Sequence, residues 1–329
     1  MKAKTPFILL IVIAGLTAPL NVSGSKESLP SRSQWSSHSF KTSDLPCELP
    51  ERPARFDLTQ LRTADNAYLL MSASHLAYRF WPGRRERILR QWGFTHHQFF
   101  DDPDTSTNGF WAEHGEFVLT VFRGTQEPTD LFTDVNVSLE SPPEDWKMKG
   151  AVHRGFLHAA LSVQKHIFIA AEYARKVQKP LIVAGHSLGG AIAVFSALQL
   201  EKKKLPIHSV WSFGAPKIGN SEFSFSARTI LGSKWQKLNQ PADPIPHLPF
   251  ANNERDKLKS LARDYGSWVP LLETLAENAS YDSLESGEIA AYNQLPVTKR
   301  PLRDIARGFL KHLPRSYVCD LAARSLAVK

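Results

Sequence analysis

Ser187 sits at the centre of Gly185-His186-Ser187-Leu188-Gly189, a spacing that can make a nucleophile of a hydroxyl. The run Leu181-Ile182-Val183-Ala184 before it reads as a short buried strand. Ala191–Leu200 after it has the length and apolar periodicity of a helix. Strand, sharp turn and helix place Ser187 at an apex, where the glycines allow close approach and a strained nucleophile. The helix N-terminus sets partial positive charge beneath it. The bland reading is a turn of small residues, and it leaves the flanking strand and helix without a purpose.

A serine hydroxyl needs a base within hydrogen-bond reach and a group that orients the base. In doubly wound α/β enzymes these follow the serine, on loops at the carboxyl ends of later strands. Asp243 lies just past an expected strand over 234–238, and the competing reading is a loop Asx-turn. His312, the last histidine, is read as the base; the competing reading is a helix-terminal histidine bonded to free carbonyls. His247 follows Asp243 by only four residues, and one short loop hardly supplies both acid and base. His186, inside the turn, is expected to point its ring away from the base. The expected triad is Ser187, Asp243 and His312. His96-His97 and the scattered acids show no ligand spacing on one element, so no metal and no cofactor is expected.

The elements that must position these groups alternate. Leu58–Phe80 reads as a helix capped by Thr63 and ended by Trp81-Pro82-Gly83. Thr107–Glu113 and Glu116–Arg123 read as a hairpin, and Phe156–Val177 as one helix feeding the Ser187 strand. Ser209–Phe213 is the next strand and Asn220–Ile230 the next helix. This alternation implies a mostly parallel sheet with helices on its faces. Asn252–Leu295 carries helical apolar spacings, and Pro301 opens an amphipathic helix that ends near His312.

Lys2 and Lys4 precede the apolar run Phe7–Leu20, with small residues to Gly24, so residues 1–24 read as a secretory signal. Residues 25–50, rich in Ser, Pro and charge, read as a flexible arm before a domain over 51–329 with a helical insertion at about 252–300. Only Cys47 and Cys319 are present, and in an oxidising compartment they form one disulfide; two buried thiols are the other reading. The formal charge is +8, or +6 without the signal, and 298–329 holds eight Lys/Arg against two Asp. Such local basicity argues against nucleic acid as a partner and for a basic patch. Arg303, Arg307 and Lys311 are either a solvated face or a contact for anionic lipid surfaces.

Val121-Phe122-Arg123-Gly124-Thr125, Val152-His153-Arg154-Gly155-Phe156, Gly185 to Gly190, Phe213-Gly214-Ala215-Pro216 and 239–249 fall in one order. Together they resemble the class 3 (fungal-type) lipase family of the α/β-hydrolase superfamily. The resemblance implies an α/β-hydrolase fold and a secreted lipase cleaving acylglycerol esters through an acyl-serine. It also implies backbone N–H donors to the oxyanion at Thr125 and Leu188, and a lid over 126–139 with Asp130, Leu131 and Phe132. Phospholipase A1, a soluble-ester carboxylesterase and a non-catalytic lipid-binding relative stay open as alternatives.

Overall fold

A computed structural model describes residues 49, 56–78, 82–125, 138–240, 243, 245–248 and 311–327. Thr63 opens α1 (Ala64–Leu76), its hydroxyl accepting the Asn66 N–H at 3.1 Å as the sequence predicts. The helix is shorter than expected at both ends. Pro82, read as a terminator, instead opens α2 (Pro82–Gln91), because a proline lacks only an N–H that a first helical residue does not use. The expected hairpin is present as β2 (Thr107–Glu113) and β3 (Val118–Phe122). An unforeseen antiparallel strand, β1 (His96–Asp102), extends it outward.

Beyond β3 come the small ribbon β4 (Leu139–Glu140) and β5 (Val152–His153). The helix expected over 156–177 is two helices, α3 (Arg154–Ser162) and α4 (Gln164–Lys176), broken at Val163. Then follow β6 (Leu181–His186), α5 (Leu188–Lys202), β7 (Ser209–Phe213), α6 (Ser221–Leu231) and β8 (Trp235–Leu238). Asn220 caps α6 by accepting the Phe223 N–H at 3.0 Å. Last comes α7 (Pro314–Ala327), also unforeseen. The insertion at 252–300 and the residues to 310, Arg303 and Arg307 among them, lie outside the described residues, as do 1–48.

The sheet order is β1-β2-β3-β6-β7-β8; β3, β6, β7 and β8 run parallel, and β1 and β2 pair antiparallel. Side chains alternate across a strand, so each parallel strand feeds two cores. Leu181 and Val183 of β6 pack with α3, α4, α5 and α6, through Ile167, Val194 and Phe223. Ile182 and Ala184 face the other way, onto α1, α2 and α7, through Leu70, Leu89 and Val318. Burial on both faces is why these strands read as unbroken apolar runs. Among the described residues no helix is long and apolar enough to cross a membrane.

Asn66 anchors the start of this frame. Its buried amide accepts the Asp57 N–H at 2.7 Å and donates to the carbonyls of Asp57 (2.9 Å), Gln60 (2.9 Å) and Leu61 (3.2 Å). Asn66→Ala strands these backbone groups, and we expect a loss of about 2–3 kcal/mol, read from urea unfolding, with the rate per folded molecule unchanged.

Candidate active site

β6 ends at His186 and α5 begins at Leu188, so Ser187 alone makes the turn between them. Its backbone has φ 60° and ψ −130°, a conformation that costs about 1–3 kcal/mol for a residue with a side chain. Two contacts hold it there: the Ser187 N–H donates to the Phe213 carbonyl at 2.8 Å, and its own carbonyl accepts the Gly190 N–H at 2.9 Å. Gly185 is required by close approach, since a Cβ there would lie 2.1 Å from the Gly189 carbonyl oxygen. The turn thus ends the strand against the first turn of α5, where unbonded helix N–H groups gather.

The acid and base meet beside it. His312 Nδ1 lies 2.8 Å from Asp243 Oδ2, with both side chains fully buried. Two further donors hold the carboxylate: the Tyr317 hydroxyl at 2.6 Å on the same oxygen, and the Ile245 N–H at 2.9 Å on Oδ1. Tyr317 Oη in turn accepts the Gln240 N–H at 2.9 Å, and Ser316 Oγ donates to Gln240 Oε1 at 3.1 Å. Burial first, then the charge of Asp243, pushes the Tyr317 hydroxyl well above its ordinary range, so it stays a donor. Tyr317 and Gln240 are the residues that the sequence reading missed. The available signal was Pro314 as a helix start, which sets Tyr317 on a helix directly behind His312.

Ser187 Oγ and His312 Nε2 are both buried, and neither has a hydrogen-bond partner among the described residues. The loop after β3 closes the other side. A Cβ on Gly124 would lie 2.9 Å from Ser187 Cβ, so the Arg123-Gly124-Thr125 backbone passes directly against the serine. Thr125 Oγ1 is buried there without a partner among the described residues, and Leu188 is the first residue of α5. The structure therefore brings Ser187, Asp243, His312, Thr125 and Leu188 to one place. His186 departs from expectation: its ring does not turn away but packs against that of His312, centroids 4.7 Å apart. Cys319, on α7, is not a free thiol, whereas Cys47, Asp130, Leu131 and Phe132 lie outside the described residues. Lys311 is exposed, and no metal-binding cluster occurs among the described residues.

Residues 119–253 match the family described as lipase (class 3), so the resemblance read from the motifs is borne out over that segment. A lipase of Rhizopus niveus is 29% identical over 155 residues, 44% of this chain and 38% of that protein. A secreted mono- and diacylglycerol lipase of Fusarium solani is 37% identical over 101 residues, 30% of this chain and 29% of that one. A phospholipase A1 of Oryza sativa subsp. indica, chloroplastic/mitochondrial, is 31% identical over 187 residues, 45% and 42% of the two chains. The chain thus spans 42% or less of the length of each of these curated relatives. Among solved structures, a deletion mutant of the Rhizomucor miehei lipase propeptide complex shares the fold, with a TM-score of 0.51 and 19% identity. The likeness covers 70% of this chain and 77% of that one.

His153 caps the start of α3. Its Nδ1 accepts the Phe156 N–H at 3.3 Å and its ring stacks on Phe156 at 3.6 Å, buried. Desolvation lowers its pKa to about 4 and moves that of His186 well below the usual range. A histidine depressed on folding contributes stability that is full above its unfolded value, about 6.5, and is lost as pH falls towards the folded one. We expect the urea midpoint to drop between pH 6.5 and 4, and His153→Asn, which can still cap α3, to flatten that slope.

Proposed function

We propose that this chain is a serine carboxylic-ester hydrolase acting on acylglycerols. The observation that carries the reading is the buried His312–Asp243 pair at 2.8 Å, set beside a strained, unpartnered Ser187 hydroxyl. In this reading His312 Nε2 takes the Ser187 proton as Oγ attacks the ester carbonyl, while Asp243 stays ionised and stabilises the imidazolium. The Thr125 and Leu188 N–H groups receive the developing oxyanion, where a lost donor costs about 10²–10³ in kcat. The imidazolium then protonates the leaving alcohol, leaving an acyl-serine. A water, activated by the same His312, releases the fatty acid and restores the serine. The matched class 3 lipase segment, 119–253, supports the substrate class.

With Ser187 only 1% exposed, an ester reaches it only when its cover moves. We assign that role to 126–139, with Asp130, Leu131 and Phe132; its residues 126–137 lie outside the described residues. A second reading, phospholipase A1, rests on the 31% identity to the rice phospholipase A1. Export through residues 1–24 is likewise proposed, on the charged and apolar pattern and on the Fusarium relative described as secreted. Peripheral contact with lipid surfaces follows from the substrate class.

Wild type and Ser187→Ala, compared on triolein emulsion, p-nitrophenyl esters and phosphatidylglycerol vesicles, test the reading. We expect turnover strongest on triolein and at least 10⁴-fold lower in Ser187→Ala. Phospholipid preference would favour the second reading, and no serine-dependent turnover on any of the three would overturn both. We also assign Cys47 as the disulfide partner of Cys319, the two being the chain's only cysteines. Thiol titration of the unfolded, unreduced protein should find no free thiol, and Cys47→Ser should cost about 2–4 kcal/mol of stability.

A further inference from the structure

Behind the candidate triad lies a second set of polar groups that the mechanism does not use. Tyr78, two residues past the last turn of α1, places its hydroxyl 2.9 Å from His186 Nδ1 and 3.5 Å from the His186 carbonyl. The same hydroxyl lies under the loop after β3, since a Cβ on Gly124 would come within 2.2 Å of it. The other ring nitrogen of His186 is Nε2. That nitrogen is buried, without a partner of full hydrogen-bond geometry among the described residues. The rings of His186 and His312 lie 4.7 Å apart at 31°, and Tyr317 meets His186 edge-on at 5.3 Å.

We infer that Tyr78 and His186 are a positioning pair, which ties the Gly124-Thr125 loop to the segment carrying His312 and so holds oxyanion donors and base in one register. The inference rests on the hydrolase reading above. The loop leaves β3 and the base precedes α7, so the two are far apart in the chain. His186 is the residue between them, fixed by the turn that also fixes Ser187. Burial and the neighbouring His312 keep the His186 ring neutral, so it adds no charge against the imidazolium that forms in the reaction. Tyr78 is half-buried, and desolvation raises its pKa, so its hydroxyl stays protonated beside that ring.

The test is the rate of Ser187 phosphonylation by a p-nitrophenyl alkylphosphonate, with p-nitrophenyl butyrate turnover per titrated serine beside it. Tyr78→Phe keeps the ring and removes only the hydroxyl; His186→Asn serves should that variant not fold. We expect both rates to fall about 10–100-fold, the scale of a misplaced reacting group. KM should stay within twofold and the circular dichroism unchanged. The double variant should be no slower than the slower single one, since the two act through one path. Rates per titrated serine within twofold of wild type, or fully multiplicative losses in the double variant, would overturn the pair. A wild type that is phosphonylated but turns over no ester fails the hydrolase reading alone, because the phosphonylation comparison still reads the pair.

Discussion

The backbone of Ser187 is the constraint on which the rest depends. A residue with a side chain at φ 60°, ψ −130° persists only when its surroundings over-determine it. Here the Phe213 carbonyl and the Gly185–Gly189 contact do so, and both belong to the centre of the sheet. β6 lies between β3 and β7, so the strand that delivers the serine cannot shift without breaking two parallel pairings. Strain at one residue is thereby set against the cooperative stability of the whole sheet.

The candidate acid and base are held in another way. Asp243 lies past β8 and His312 precedes α7, so neither inherits rigidity from the sheet. Their order comes from a polar knot in which Tyr317, Gln240, Ser316 and the Ile245 N–H satisfy one another around a buried carboxylate. In a water-excluded site such a network is strong when complete and weak when one member is missing. α7 seats the knot by packing Tyr317, Val318 and Leu321 into the core beneath α1.

Much of this was legible in the chain, and the losses have physical causes. The strand–turn–helix around Ser187 was clear because a doubly buried strand and a fully buried helix leave unbroken apolar runs. The cap at Thr63 was clear because a short polar side chain before an apolar run has few other uses. β1 was not legible: His96-His97-Gln98-Phe99-Phe100-Asp101-Asp102 is an edge strand with one partner, so its polar positions do not alternate cleanly. α7 mixes Ser, Tyr, Val and Cys early in its length, residues with modest helix preference, and only tertiary packing favours the helix there. The turn at Val163 and the start at Pro82 show the same limit, since periodicity places a helix but not its ends. His186 shows a different one. Its position in the turn was visible, but the direction of its ring depends on Tyr78 and His312, which lie far from it in sequence.

The polar knot also fixes when the chain can become chemically competent. The contacts of Asp243 with His312 and Tyr317 span 69 and 74 residues, and α7 must dock against α1 from the far end of the described chain. Closing loops of that length costs entropy before the contacts repay it. Without α7 docked, the serine turn lacks the seat that Tyr317 gives to the Asp243–His312 pair. Under the proposed mechanism the site is incomplete until α7 has docked.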